Sequence, residues 1–265
     1  MDPTAFSVLG LEVRWYGILI SVSLITGLLV SYLLAKYRGQ KEEEILNFAP
    51  FAIILSIIGA RLLHVAVNWS YYINHPALIL SFRSGGLAIH GVIMGGFIAL
   101  LLFVKIRKLD LWLWADILVP ALILGQAIGR WGNYFNQEAF GRPTSLPWGI
   151  YIDPAHRPYG YASYEYFHPT FFYESVINFS LFFLLLVMHR FYKNKPNRIP
   201  SGLIFSMYLG VYAVYRTFIE SYRIDSSYIG TIKVVYVINI IALAAALFIS
   251  GYVIRKFKEE KKLET

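Results

Sequence analysis

The chain contains no cysteine. Disulfides, zinc–thiolate centres, iron–sulfur clusters and a catalytic thiol are therefore excluded, and any thiol chemistry must use a thiol carried by the substrate. Charge is also scarce: 15% of the 265 residues are charged, against about a quarter in an ordinary soluble domain. There is no HExxH pair for zinc, no GxxxxGK[ST] phosphate loop, no GxSxG nucleophile elbow and no dense Asp cluster for magnesium. Neither a metal nor a cofactor is expected, which leaves Arg for charge and His for proton transfer. The N-terminal stretch lacks a positive region before its first apolar run: its first basic residue is Arg14, preceded by Asp2 and Glu12. A cleaved signal peptide is therefore not expected.

Apolar sequence is abundant. The hydrophobic set makes up 57% of the chain and mean hydropathy is +0.54. Several stretches approach the roughly 20 apolar residues that carry a helix across a bilayer. Seven candidate spans follow, at about 16–35, 48–68, 87–104, 111–129, 170–189, 202–219 and 234–253. The expected fold class is an all-α polytopic membrane protein: one transmembrane catalytic domain over 1–265, about seven helices, and a small extracytoplasmic loop-rich cap over 130–169. Only "KIRKLD" separates spans three and four, which predicts an antiparallel hairpin. Gly91/Gly95 and Gly125/Gly129 have the small-xxx-small spacing that lets membrane helices approach closely.

Basic residues set the orientation. Fifteen lie on one side: Lys36, Arg38, Lys41, Lys105, Arg107, Lys108, Arg190, Lys193, Lys195, Arg198, Arg255, Lys256, Lys258, Lys261 and Lys262. Eight lie on the other: Arg14, Arg83, Arg130, Arg142, Arg157, Arg216, Arg223 and Lys233; Arg61 alone falls within a span. The positive-inside rule puts the C-terminus in the cytoplasm and the N-terminus outside. The basic clusters thus encode topology, and nucleic acid is not an expected partner. On the outer side seven of the eight are Arg. A charged residue costs about 2.5–3.5 kcal/mol at the centre of a membrane helix, so isolated arginines near span ends point to an anionic partner.

On this topology, five segments deliver polar groups to the outer boundary. Tyr16 opens span one, His90 opens span three, Arg130 and Asn133 close span four, His168 and Glu174 open span five, and Tyr212, Arg216 and Glu220 close span six. Each has a bland alternative. A lone His such as His90 beside Gly91 is more often a hydrogen-bonded packing residue than a catalytic base. His64, one turn from Arg61, reads as half of a buried polar pair that ties helices together, and Asp116 as a helix-to-helix hydrogen-bonding group.

Caps for the last carbonyls of span four would account for one or two polar residues between 130 and 142. They do not account for Arg130, Asn133, Asn136, Gln137, Glu138 and Arg142 together. A guanidinium presents a planar fork of donors suited to phosphate, and Asn amides can complete the cradle. Arg216 and Arg223 share one helical face, with Glu220 four after the first and three before the second. That spacing fits either two braced anion ligands or a surface ladder of ion pairs. A metal-free site with Arg and His suits displacement at a carbon bearing a phosphate leaving group. A channel or transporter with an outward anion site is the competing class, although a transporter collects its polar groups near the bilayer midplane and often shows paired halves. Rhomboid-like proteolysis and headgroup phosphotransfer lack their expected Ser or Asp motif.

Five motifs, "VRWYG" (13–17), "GGLAIHG" (85–91), "GRWGNYFNQEAFG" (129–141), "HPTFFYE" (168–174) and "YAVYRTFIESYR" (212–223), together resemble the bacterial phosphatidylglycerol–prolipoprotein diacylglyceryl transferase family, in its order. The third matches the signature G-R-x-G-N-F-x-N-x-E-x-x-G. Tyr134 stands for the usual Phe, Gln137 for a frequent Gly, and Val92 for a second small residue after His90-Gly91. The resemblance implies a seven-helix enzyme of the bacterial cytoplasmic membrane with its active site near the outer leaflet. Its substrates would be phosphatidylglycerol, drawn from the membrane lipids, and a prolipoprotein signal peptide with a lipobox cysteine. It further implies that Arg130 and Arg216 hold the lipid phosphate and that His90 is the base toward the thiol. Tyr16, Asn133, Glu138, Gly141, Tyr212 and Glu220 match other positions important for activity or site architecture; Arg223 joins them from its spacing.

Overall fold

The computed structural model describes residues 2–8, 10–81, 86–194 and 199–264. Arg83, Lys195 and Arg198 of the charge count and Gly85 of the second motif lie outside the described residues. The elements run β1 (Thr4–Val8), β2 (Leu11–Arg14), α1 (Trp15–Tyr37), α2 (Glu43–Val67), α3 (Trp69–Tyr72), α4 (Ile89–Arg107), α5 (Leu111–Phe135), β3 (Ile150–Tyr151), β4 (Tyr166–Phe167), α6 (Thr170–Asn194), α7 (Leu203–Tyr222), β5 (Tyr228–Ile229), β6 (Ile232–Lys233) and α8 (Val234–Glu264). Six of these helices are long and apolar enough to cross a membrane: α1, α2, α4, α5, α6 and α8. The seventh long helix, α7, spans 20 residues and carries Arg216 and Glu220 in an otherwise apolar and aromatic sequence. This is a multi-pass helical membrane protein of about seven spans, as the hydropathy pattern predicts.

Several helices outrun their predicted ends. At α2 the extension reaches back to Glu43, because Glu44 accepts two bonds from the Arg107 guanidinium, at 2.9 Å to Nε and 2.5 Å to Nη2. The basic tail of α8 stays helical with i,i+4 pairs such as Arg255–Glu259 at 2.8 Å. Helix α5 continues through the polar cluster to Phe135, so the cap begins at Asn136 rather than at residue 130. Three short antiparallel hairpins, β1–β2, β3–β4 and β5–β6, were not anticipated by hydropathy.

The chain forms two compact units, Met1–Ser31 with Asp116–Thr265, and Tyr32–Ala115. In the second unit α2 and α4 approach so closely that Gly91 and Gly95 have no room for a side chain: a Cβ on Gly91 would strike the Gly59 carbonyl, and one on Gly95 the Leu55 carbonyl. The predicted small-residue packing is thus real for this pair. Of the second pair, Gly125 faces Ser23 of α1, and a Cβ on Gly129 would meet nothing within 4 Å. Arg61, 3% exposed, serves a loop: it donates to the carbonyls of Leu78, Ile79 and Gly86 at 2.5, 2.8 and 3.0 Å. The expected Arg61–His64 tie between helices is therefore revised to a staple on the segment leading into α4.

In the first unit α5, α6 and α7 share a core of Val119, Ile123, Leu181, Leu185, Ile204 and Ile219, among others. Within a membrane, polar side chains add glue between helices. Trp131 donates to Ser175, which donates to the Ala127 carbonyl, at 3.1 and 2.8 Å. Gln126 donates to Tyr208 at 3.0 Å, the Tyr215 hydroxyl donates to Asn178, and Asn239 of α8 donates to Thr217 of α7 at 2.9 Å. Asp116 is fully buried and caps α7, accepting from the Gly202 and Phe205 amides at 2.8 Å each. That bears out its reading as a helix-to-helix group. In the cap, Trp148 donates to the Tyr173 hydroxyl at 2.8 Å, and that hydroxyl lies 3.1 Å from Nδ1 of His168. A phenol that accepts from Trp148 has its own proton left for Nδ1, which favours neutral imidazole; burial also holds the His168 pKa below its ordinary 6.5.

Two outcomes follow. Gly91→Leu should lower thermal stability sharply or prevent folding, whereas Gly129→Ala should be neutral or raise stability by about 0.5–1 kcal/mol through helix propensity; melting of the detergent-purified proteins checks both. His168 has a depressed folded pKa, so the unfolded chain binds the proton first as pH falls through about 6.5, and stability present above that pH is lost below it. His168→Gln should therefore flatten the decline in melting temperature between about pH 7 and pH 5; an equal slope would show that His168 is not its source.

Candidate active site

Four of the predicted positions come together in the first unit, around an acidic residue that the sequence places at the outer boundary without a role. Glu174, in the second turn of α6, is 1% exposed, and three guanidiniums surround it. Arg130 of α5 reaches Oε2 through Nη2 at 2.6 Å. Arg216 of α7 lies 3.7 Å from the same oxygen through Nε, and Arg223, just past α7, lies 3.7 Å from Oε1 through Nη1. Glu220, also 1% exposed, pairs with Nη2 of Arg216 at 2.9 Å, one turn along α7. The arginine side chains are 24% (Arg130), 9% (Arg216) and 12% (Arg223) exposed, so the group is a buried cluster and not a surface ladder.

The cluster sits together because of helix direction. Arg130 lies near the end of α5, Arg216 near the end of α7 and Glu174 near the start of α6. Alternating helices bring these ends to one level, and anions are favoured near helix starts and cations near helix ends. Arg223 is fixed from outside by Asp225, a two-pronged pair at 2.9 and 2.8 Å. Lys233 donates to the Glu220 and Arg223 carbonyls at 2.7 and 3.4 Å, satisfying the exposed end of α7.

The arrangement leaves hydrogen-bonding capacity unspent. Nη1 of Arg216, both oxygens of Glu174 and Oε2 of Glu220 are buried without a hydrogen-bond partner among the described residues. The contacts to Glu174 are thus attractions of charge without an aligned N–H. Unspent guanidinium donors in a dry setting are what an incoming anion requires, since charge-assisted bonds strengthen when water is excluded.

The loop after α5 forms a second layer. Glu138 accepts from both Asn133 and Asn136 through Oε1, at 2.9 and 3.2 Å, so the two amides brace Glu138 across the helix end. Gln137 and Ala139 adopt left-handed backbone, φ 49° and 57°. The conformation is disfavoured for side chains with a Cβ. Gln137 offsets the strain with a reciprocal pair of bonds to Asp153, at 2.6 Å to its carboxylate and 2.7 Å from its amide. Gly141 is required sterically, because a Cβ there would lie 2.9 Å from both His168 and Thr170 side chains. Its amide donates to the His168 carbonyl at 2.8 Å, the Arg142 amide donates to the Tyr222 carbonyl at 2.9 Å, and Gly141 forms an isolated β-bridge with Arg223. This short seam carries the loop to the end of α7.

Tyr16 packs its ring on Gly132, where no side chain would fit, and Trp15 stacks on Phe135 at 4.8 Å. The start of α1 is thereby fixed to the end of α5. Tyr212, half-buried one turn before Arg216, packs against Tyr208 and Tyr215 with centroids 5.7 and 5.3 Å apart. His90 belongs to the other unit, where it occupies the first turn of α4 and is exposed. Glu174 could have been singled out from sequence by its position in "HPTFFYE", but hydropathy says only that it opens a span, not which side chains it faces.

Comparison with known proteins identifies the family. The prolipoprotein diacylglyceryl transferase family profile matches residues 3–252. The chain is 42% identical over 246 residues to the phosphatidylglycerol–prolipoprotein diacylglyceryl transferase of Trichormus variabilis, covering 92% of this chain and 87% of the relative. Proteins of the same name from Acaryochloris marina and a Synechocystis species are 43% and 41% identical, covering 92% and 96% of this chain and 88% and 90% of their own lengths. The profile spans every helix that builds the arginine cluster, and the chain belongs to the prolipoprotein diacylglyceryl transferase family.

Proposed function

We propose that the chain transfers the sn-1,2-diacylglyceryl group of phosphatidylglycerol to the thiol of a lipobox cysteine in a prolipoprotein signal peptide, the first step of lipoprotein maturation. The observation that carries this reading is the buried cluster of Arg130, Arg216 and Arg223, with an unpartnered nitrogen on Arg216. Family membership supplies the reaction class. A chain without cysteine is compatible with it, since the substrate brings the nucleophile.

The whole chain, 1–265, acts in this reading as one transmembrane catalytic domain of the bacterial cytoplasmic membrane. The excess of basic residues on one side supports a cytoplasmic C-terminus, an outer N-terminus and a site near the outer leaflet. Phosphatidylglycerol lays its phosphate against Arg130 and Arg216, with Arg223 completing the positive wall. The thiol sulfur attacks the glyceryl carbon, the carbon–oxygen bond to phosphate breaks, and the electron pair leaves on the phosphate oxygen. The thiol proton goes to His90. The products are a thioether, glycerol phosphate and a proton on the base. Buried guanidiniums stabilise the charge that grows on the leaving oxygen, an effect worth about 10²–10³-fold per preorganised donor. Asn133 and Glu138 brace the helix end that carries Arg130, Gly141 seats the loop, Glu220 orients Arg216, and Tyr16 and Tyr212 wall the site.

Incubating the purified protein with phosphatidylglycerol and a lipobox peptide should add the diacylglyceryl mass at cysteine; a folded protein that makes no adduct overturns the reading. Arg130→Ala and Arg216→Ala should each lower turnover by at least about 10²-fold with melting behaviour retained, and Lys should rescue poorly because it lacks the planar fork. If His90→Gln keeps near-normal turnover, His90 is not the base.

A further inference from the structure

We infer that Glu174 is a positioning residue whose negative charge tunes the arginine cluster to hold a phosphodiester monoanion and to release a phosphomonoester dianion. The inference rests on the reading above, that a phosphate group docks at Arg130 and Arg216.

Affinity alone does not explain Glu174. A site built only to grip phosphate would gain nothing from a carboxylate that is 1% exposed and touches all three guanidiniums. Nor does directional bracing explain it. Both Glu174 oxygens lack a hydrogen-bond partner among the described residues, and two of its three arginine contacts lie at 3.7 Å. Asp225 orients Arg223 through two hydrogen bonds at 2.9 and 2.8 Å, whereas Glu220, like Glu174, meets Arg216 as an ion pair without an aligned hydrogen bond. What Glu174 adds is charge at the centre.

The charge balance then becomes informative. Three arginines against Glu174 and Glu220 leave one net positive charge, and the flanking Asp225 and Lys233 cancel each other. A phosphodiester brings one negative charge and neutralises the group. Breaking its carbon–oxygen bond converts it into a monoester, whose second pKa is about 6, so it carries nearly two negative charges at neutral pH. The thiol proton has meanwhile gone to the base and does not offset this. The product therefore leaves the cluster with an excess negative charge, and in a poorly screened setting that excess favours departure. The same carboxylate opposes rebinding of the dianion. Without Glu174 the balance would shift by one unit, and the cluster would match the product.

The test is product inhibition of the full-length purified protein in phosphatidylglycerol mixed micelles, with glycerol phosphate as probe. Glu174→Gln should bind glycerol phosphate about tenfold or more tightly than the unmodified protein while its kcat falls and its KM for phosphatidylglycerol does not rise. Glu174→Asp, which keeps the charge, should stay near the unmodified protein. A purely structural role would raise the inhibition constant and KM together, and that result, or an unchanged inhibition constant, overturns the inference while transfer by the unmodified protein still stands. Failure of the unmodified protein to form any adduct would instead overturn the functional reading on which the inference rests. Should Glu174→Gln fail to fold, the unmodified protein still decides: the methyl diester of glycerol phosphate should inhibit at least as well as the doubly charged monoester. Clearly tighter binding of the monoester would overturn the inference.

Discussion

A carboxylate buried among three arginines, Glu174 with Arg130, Arg216 and Arg223, sets the terms for the first unit. None of these groups is affordable alone at membrane depth, where an uncompensated charge costs several kcal/mol. Together they tie the ends of α5 and α7 to the start of α6, where the charges neutralise one another. The apolar contacts of Ile123, Leu185 and Ile204 supply packing, but lipid tails compete for such contacts on equal terms and give them little power to choose a register. Charge supplies the choice.

The loops around the cluster carry backbone strain of their own. Residues 137 and 139 take a backbone conformation that side chains with a Cβ resist. Gln137 is tied back to Asp153 by two reciprocal bonds, and Gly141 sits where no Cβ fits. Strain concentrated beside a polar site, with dedicated compensation a few residues away, is the pattern of a segment constrained by function. The Gly141–Arg223 bridge makes the consequence concrete: the loop after α5 and the end of α7 share one seam, so the turn that carries Glu138 and the arginine that faces Glu174 are positioned together.

Much of this was legible in the sequence, for physical reasons that also mark where legibility stops. Hydropathy located seven helices because a bilayer demands long apolar runs, and it brought Arg130, Arg216, Asn133, Tyr16 and Glu220 to one level. It misjudged where helices end. Helix α5 runs on through Arg130 and Asn133 because their polar groups are partnered, and α2 starts early because Glu44 has Arg107. The three hairpins are too short to leave a readable pattern of alternating burial. Glu174 went without a role for a different reason: a lone acid near a helix start has an ordinary explanation in capping and the helix dipole. Only three-dimensional proximity distinguishes a capping acid from a counter-ion shared by three cations on other segments.

Arg61 shows that burial of a guanidinium does not by itself mark an anion site. Its donors are directed at the carbonyls of Leu78, Ile79 and Gly86, so its charge is absorbed by backbone dipoles. Arg216 is buried to a similar degree, yet one of its nitrogens has no acceptor and its nearest anions are carboxylates that themselves lack full hydrogen bonding. Satisfied donors hold a fold together, whereas an unsatisfied donor beside buried carboxylates keeps capacity for an added anion. The difference between the two arginines is a difference in what surrounds the same chemical group, and that difference separates structure from site.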